Sequence, residues 1–286
     1  MNLDSAILKS IDIIDDAIEM YSPVSIQAGF SGGTDSLVVT HLIMNTHEAE
    51  VFHINTGIGV EKTREYVRTF CKENEWVLNE IRAKEDCGKD YEEMVLEHGF
   101  PGPSQHSIMY RNLKERGIRE LCRRKQNKRG DKVLLVTGIR EDESFIRSGY
   151  KNDIVKANGR EVWVNAIYHF TKSLKQEYIV KYGLEINPVS KLLGISGECL
   201  CGAFAGKSEL DLVRIIEPNT AEWIDNLQKR VWEAGHHWLW HEKPHQTLIN
   251  EKHGQIPLIE RKSEFMCVGC TKNEGVFEPN IGVSDE

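Results

Sequence analysis

The 286-residue sequence predicts an α/β fold: a doubly wound parallel sheet with a smaller Cys-rich C-terminal region. Three observations predict it. Segments with helical apolar spacing alternate with short apolar runs of strand length, the rhythm of a parallel sheet covered by helices on both faces. A Gly-rich turn, Ser31-Gly32-Gly33, directly follows the first of those runs. The most apolar run, Lys132-Val133-Leu134-Leu135-Val136-Thr137, ends at Gly138, as a central strand would.

The elements follow in order. Ile7, Leu8, Ile11, Ile14 and Ile18 recur at helical spacing, so residues 4–20 form an amphipathic helix that Pro23 ends. Residues 24–30 read as a strand running into the glycines, and residues 37–44 as a helix. A second buried strand covers 51–54, a helix 61–73 and a further strand 76–81. Helices are expected at 91–97 and 107–126, ahead of the strand at 132–137, and again at 171–182. Beyond that point the composition changes. Asn187-Pro188 marks a turn, and residues 194–206 are rich in Gly and Cys. Pro218 opens and Gly235 closes a last helix. The shift near residue 193 divides the chain into a sheet domain, 1–193, and a Cys-rich cap, 194–286.

Composition narrows the function classes. Hydrophobic residues make up 40% and charged residues 28%, enough for a sizeable core. No apolar run nears the roughly 18 residues of a membrane span. Residues 1–16 mix acids with apolar positions and lack the basic start of a secretory leader, so a cytoplasmic protein without a membrane partner is expected. Seven cysteines, an odd number in a long chain, argue against a disulfide framework and for metal binding, catalysis or burial. A net charge of −8 argues against a protein coated in positive charge.

The first motif with chemistry is Ser31-Gly32-Gly33-Thr34-Asp35-Ser36, between a strand and a helix. Its glycines let the backbone approach a phosphate, and successive amide N–H groups form an anion-binding nest. The helix behind adds unpaired N–H donors and its positive dipole end. Ser31 and Ser36 supply hydroxyls, while Asp35 suits either Mg²⁺ or a helix cap. An ordinary capped strand-to-helix turn is the competing reading.

The hexapeptide resembles the SGGxDS loop of the PP-loop ATP pyrophosphatases and the PAPS reductase family. His53-Ile54-Asn55-Thr56-Gly57 is similar to that family's strand and DTG-like turn. Gly138-Ile139-Arg140-Glu141-Asp142-Glu143-Ser144, with Arg147 following, is similar to its G-x-R-x-x-E-S-x-x-R element. With Leu113-Lys114 and Asn187-Pro188, the resemblance covers about residues 23–190. It implies an adenine nucleotide alpha-hydrolase-like, Rossmann-like domain that binds ATP, or PAPS, together with Mg²⁺. It implies phosphate contacts at Ser31, Gly32, Gly33, Thr34, Asp35 and Ser36. Asn55, Thr56 and Gly57 would lie against ribose or base, and Gly138 and Arg140 would complete the pocket. Asp35, Arg140 and Arg147 take the catalytic roles, the first holding Mg²⁺ and the arginines pairing with phosphate or sulfate. Glu141 and Glu143 offer those arginines competing surface ion pairs.

The departures from the family pattern matter as much. Thr34 stands where many relatives have Lys, so a cationic phosphate contact is missing or supplied from elsewhere. Asn55 replaces an Asp. No C-terminal ECG-L/I-H-like motif is present, and Met109 and Tyr110 occupy the positions of the Cys pair of iron–sulfur APS reductases.

The second constellation is Cys199-Leu200-Cys201-Gly202 with Cys267-Val268-Gly269-Cys270. Four thiolates suit a 4Fe-4S cluster or tetrahedral Zn²⁺ if the chain between them folds back. Residues 196–205 resemble the Cys-rich region of the sulfur-transfer subunit of DNA phosphorothioation systems, which favours the cluster over zinc. Cys71 and Cys122 lie among helical apolar positions and read as core, whereas Cys87 sits beside Gly88 in a polar loop.

Two further features stand out. Residues 111–132, opening on Arg111 and closing on Lys132, hold ten Lys or Arg against three acids, a local +7 that leaves −15 for the remainder. Such a stripe is either a phosphate-contacting surface for nucleic acid or a solvated helix face. His236, His237, His241, His245 and His253, beside Trp232, Trp238 and Trp240, read as a packed Trp/His lid or a partner surface; His237 and His241 have the i, i+4 spacing of zinc ligands, but no H-E-x-x-H pattern is present. The functional expectation is adenylation of an acceptor by ATP with sulfur transfer, the acceptor being a nucleic acid and the sulfur coming from a donor protein. The alternatives are PAPS or APS reduction, with an electron donor protein, and a nucleotide-binding regulator with structural zinc.

Overall fold

The computed structural model describes residues 1–143, 154–206, 208–236 and 239–240. Six strands, β1 (Ser25–Gly29), β2 (Glu50–Asn55), β3 (Leu78–Arg82), β4 (Val133–Val136), β5 (Val155–Asn158) and β6 (Glu161–Val164), form one sheet in the order β3-β2-β1-β4-β6-β5. All neighbours are parallel except the β5–β6 pair. β4 and β6 are buried at every position, as a sheet covered on both faces requires. The chain runs from β1 outward through β2 to β3, then returns to place β4 on the other side of β1. That reversal opens a crevice beyond the carboxyl ends of β1 and β4, the general ligand position of open α/β sheets.

Helix α1 (Leu3–Tyr21) starts at an Asn2 side chain that accepts the Ser5 N–H at 2.9 Å. Helix α2 (Thr34–Met44) follows β1, and its Leu37, Val38, Val39, Leu42 and Ile43 are all buried. Helix α3 (Glu61–Glu73) crosses from β2 to β3. Short helices α4 (Ala83–Cys87) and α5 (Tyr91–His98) precede a compound helix: α6 (His106–Tyr110), a π-type turn over Arg111–Glu115, and α7 (Arg116–Lys125). After the β5–β6 hairpin come α8 (Lys172–Lys181), α9 (Pro188–Leu193), α10 (Glu209–Ile216) and α11 (Pro218–Glu233).

The expected helices and strands up to residue 137 are present. The β5–β6 hairpin is an addition, and Asn158-Gly159 at its turn is the local signal for it. The described residues beyond 193 pack against the sheet domain. Leu200, Cys201, Val213, Ile224 and Val231 share one apolar core with Ile58, Tyr91, Val95 and Leu113. The cap is therefore built onto the loops that follow β2 and β3.

Candidate functional site

The hexapeptide lies at the crevice. Phe30 N–H donates to the Phe52 carbonyl at 2.9 Å, continuing the β1–β2 ladder one step past the strand. Gly32 then turns at φ +80°, where a Cβ would meet Thr63 Cγ2 at 2.8 Å and Asn187 Nδ2 at 3.1 Å. Asn187, almost wholly buried, donates to the Gly32 carbonyl at 3.1 Å and holds that turn from below. Gly33 is the N-cap of α2 and carries no side-chain cap, so the first amides of the helix have no such acceptor. Ser36 Oγ accepts the Ser31 N–H at 3.2 Å, donates to the Gly33 carbonyl at 2.8 Å and lies 3.1 Å from Ser31 Oγ. The two serines close the loop around the helix start.

The loop after β4 forms the opposite wall. A Cβ on Gly138 would fall 2.6 Å from both the carbonyl carbon and oxygen of Asp35, so only glycine fits there. Arg140, 5% exposed, donates through Nε to Asp35 and through Nη1 to Asp142. Lys175 of α8 brings its Nζ to 3.0 Å from Asp35 Oδ1 and 2.9 Å from Thr34 Oγ1. This placement revises two expectations. Asp35 Oδ1 is shared by two cations, so this carboxylate does not fit an open Mg²⁺ ligand. Arg140 bridges the β4 loop to α2 instead of standing free beside a phosphate. Lys175 was not anticipated: it places a cation beside Thr34, where the family's Lys is absent, and nothing in its local sequence marks it.

The turn after β2 is equally constrained. Asn55 Oδ1 accepts the Gly57 N–H at 3.0 Å, and its Nδ2 donates to Glu80 Oε1 at 2.8 Å. Arg68 donates to both Glu80 oxygens, at 2.8 and 2.7 Å, and this pairing draws the Glu80 carboxyl down to about 2. Beneath the turn lies a buried ionic group. His53 places Nδ1 2.7 Å from the Phe30 carbonyl and Nε2 3.1 Å from Glu198 Oε2. Nδ1 donates to the Phe30 carbonyl, and Nε2 shares a proton with the Glu198 carboxylate, the contact that favours a charged ring. Burial opposes that charge, but Glu198 outweighs it and raises His53 above its ordinary value. Burial likewise pushes Glu198 up, and His53, Arg64 and the Thr56 N–H together hold it below the usual carboxylate range.

Glu198 carries the cap into the site. Thr56 donates to it twice, from N–H to Oε1 at 3.0 Å and from Oγ1 to the Glu198 carbonyl at 2.7 Å. Thr63 Oγ1 donates to the Ser196 carbonyl at 2.7 Å, and Leu200 N–H to the Ile58 carbonyl at 2.7 Å. A Cβ on Gly33 would sit 3.5 Å from Ser196 Cβ, so the segment leading to Cys199 lies directly on the hexapeptide loop. Cys199 is partly exposed and Cys201 buried. Tyr91 Oη donates to the Cys201 carbonyl at 2.8 Å, and Trp240 Nε1 to the Leu200 carbonyl at 2.7 Å. Trp240, 1% exposed, thus covers the segment.

Arg147, Cys267, Cys270, His237, Trp238, His241, His245 and His253 lie outside the described residues. Among the described residues no three His, Cys, Asp or Glu are placed to hold a metal ion, so the described half of the Cys constellation is not by itself a cluster or zinc site. Burial pushes the Cys71 and Cys122 thiols up to about 12, as expected for packing residues. Cys87 is also raised, first by burial and then by Asp86, the opposite of an activated thiol.

Four of the ten cations of the basic stripe are seen in ion pairs, two of them with acids outside it. Arg119 pairs with Glu115, Arg123 with Glu120, Arg124 with Asp86 and Glu120, and Lys125 with Glu50. Arg123, Lys128, Arg129 and Arg160 line a cavity of about 600 Å³. It lies where β4 and β6 begin, at the opposite end of the sheet from the hexapeptide.

Comparison with known proteins decides the family. The phosphoadenosine phosphosulfate reductase domain matches residues 25–274. The chain belongs to this family. Its fold is the family's PP-loop, Rossmann-like α/β architecture, with a mostly parallel six-stranded sheet. Among solved structures, a phosphoadenylyl-sulfate reductase from Candida auris in a phosphate complex is 16% identical, with a TM-score of 0.49, covering 64% of this chain and 84% of that one. An FMN adenylyltransferase from Candida glabrata with ATP is 13% identical, with a TM-score of 0.44, covering 67% and 59%. A U34-tRNA thiolase from Methanococcus maripaludis with its 4Fe-4S cluster is 15% identical, with a TM-score of 0.40, covering 84% and 83%. No curated protein matches the sequence. Among the described residues no helix is long and apolar enough to cross a membrane.

Proposed function

We propose that this PAPS reductase-family protein binds ATP at the hexapeptide loop, adenylates an oxygen of an acceptor with release of pyrophosphate, and supports replacement of that oxygen by sulfur. One observation carries the reading: the segment bearing Cys199 and Cys201 is seated on both nucleotide loops, Ser196 against Gly33 and Glu198 under Thr56. Sulfur chemistry and nucleotide activation then share one pocket.

In this reading Gly32, Gly33 and the first amides of α2 receive the phosphates, with the Ser31 and Ser36 hydroxyls beside them. Lys175 neutralises charge that develops on the leaving pyrophosphate, the term on which phosphoryl-type transfer chiefly depends. Arg140 orients the β4 loop through Asp35 and Asp142. Asn55, Thr56 and Gly57 shape the ribose and base side. The acceptor oxygen attacks the α-phosphorus and pyrophosphate leaves; a sulfur nucleophile then displaces AMP. A nucleic acid is the acceptor class, and Lys128, Arg129 and Arg160 supply its phosphate contacts. We assign the nucleotide domain to residues 1–193 and the Cys-rich cap to 194–286, with Cys267 and Cys270 completing the thiolate set. Arg147 is assigned to the phosphates with Lys175.

The family match itself favours a second reading, reduction of PAPS or APS with sulfite release. Against it, Met109 and Tyr110 are buried apolar-facing residues where iron–sulfur APS reductases have a Cys pair. The test compares anaerobically purified protein with γ-³²P-labelled ATP and with PAPS plus a thiol reductant. Pyrophosphate release supports the first reading, and sulfite supports the second. Visible absorption and metal content, each repeated on Cys199→Ala, accompany it. An iron–sulfur band lost in that variant supports sulfur transfer, and zinc alone would sink it.

A further inference from the structure

Glu198 joins the two halves of the pocket through atoms the proposed chemistry does not use. Its carboxylate is 97% buried, with its side chain 3% exposed, and it receives His53 Nε2 at 3.1 Å and Thr56 N–H at 3.0 Å. Arg64 Nε lies 3.5 Å from the same Oε2. The far side of His53 is bonded to the Phe30 carbonyl, the peptide group leading directly into Ser31. The near side of Glu198 is the peptide group leading directly into Cys199. Two hydrogen bonds, between the Phe30 carbonyl and His53 and between His53 and Glu198, therefore link the loop at residues 31–36 to the residue bonded directly to Cys199.

Packing alone does not call for this arrangement. A buried ion pair incurs a desolvation penalty that apolar side chains of similar volume avoid, and replacing such pairs is often neutral or stabilising. What ions provide is direction: a carboxylate accepting from fixed donors allows one register of segment against loop. An apolar plug would allow several.

We infer that Glu198 is a positioning residue that sets the register of the Cys199–Cys201 segment against the nucleotide loops, so that nucleotide occupancy and placement of Cys199 are coupled. A phosphate held at residues 31–36 fixes the Phe30 carbonyl, which fixes His53, and His53 in turn fixes Glu198. The inference rests on nucleotide binding at that loop.

The test is hydrogen–deuterium exchange on the full chain, with and without ATP and, separately, PAPS. Peptides covering residues 28–37 and 196–202 are followed. In the wild type the bound nucleotide slows both, the second by about fivefold or more, the lower range of a site-to-site coupling. Glu198→Gln, of the same shape without the charge, keeps the slowing at 28–37 and loses it at 196–202. Thr56→Val, which removes one donor to the Glu198 carbonyl, diminishes the second response and serves if Glu198→Gln does not fold. A purely structural Glu198 would raise exchange at 196–202 equally with and without nucleotide. That result, or a Glu198→Gln protein that still shows the nucleotide response there, overturns the inference. Slowing at 28–37 alone in the wild type overturns the coupling and spares the nucleotide reading. No slowing anywhere with either nucleotide overturns both.

Discussion

The two ends of the sheet contrast in how they use charge. At the end where β4 and β6 begin, charge is dense in the sequence and exposed, and part of it is paired with acids such as Glu115, Glu120 and Asp86. At the other end His53, Arg64, Arg140 and Glu198 are all buried. Exposed pairs contribute about 0–1 kcal/mol each, whereas a buried charge deprived of its partner costs about 3–5 kcal/mol. Density of charge along the chain is thus a poor guide to where electrostatics organises this protein.

The largest effect that would break this contrast is steric. Gly138→Ala puts a methyl against the Asp35 backbone, which cannot yield as a flexible side chain can. We expect a loss of about 3 kcal/mol or more in thermal or urea unfolding, together with loss of nucleotide binding. Gly57→Ala is the control: its φ is +78° but nothing lies near, so only about 1 kcal/mol of backbone strain is expected.

Next is Lys175. Lys175→Met should lower kcat/KM for pyrophosphate release roughly 10²-fold, as loss of a preorganised charge-stabilising donor does. Thr34→Lys in that background should recover part of it. An unchanged rate in Lys175→Met would remove this residue from the phosphate site.

A third outcome concerns pH. Glu80 is held at about 2 by Arg68 and Asn55, below the roughly 4.3 of a free Glu. A depressed carboxylate stabilises the fold above the unfolded value and loses that contribution as pH falls through the folded one. Stability should therefore decline between about pH 4.5 and pH 2, with a Glu80 share on the order of 1–2 kcal/mol after solvent screening. Glu80→Gln should flatten that part of the curve in acid denaturation.

The smallest effects belong to the basic end. Lys128, Arg129 and Arg160 mutated together to Ser should reduce the salt dependence of oligonucleotide binding by about 2–3 in log–log slope. Arg119→Ala, breaking the exposed pair with Glu115, should change stability by under about 1 kcal/mol and leave the slope nearly unaltered. If the two variants act alike, pairing does not decide which of these cations are available.

Legibility in the sequence followed the range of the interaction. Helix α3 was readable at both ends because its apolar spacing and its neighbours are local. The tight turn at residues 31–36 was readable because two adjacent glycines at a strand end call for one. The long helix expected over 107–126 is interrupted by the turn at Arg111–Glu115, which no residue in it announces. Lys175 and Asn187 act on residues more than 130 positions away, so no spacing rule reaches them. Glu198 had one signal, an acid beside Cys199 in a Gly-rich segment, and its meaning depends on His53, 145 residues away.

The sequence alone determined the layered α/β architecture, the loop at residues 31–36 and the family, because these rest on periodicity and short-range backbone demands. Only the tertiary structure decided which charges act. It paired part of the stripe with acids, bound Asp35 to Arg140 and Lys175, and buried Glu198 between the turn after β2 and Cys199. The physical reason is that an ionisable side chain acquires its role from desolvation and from partners brought close in space, and neither is encoded within a few residues of it.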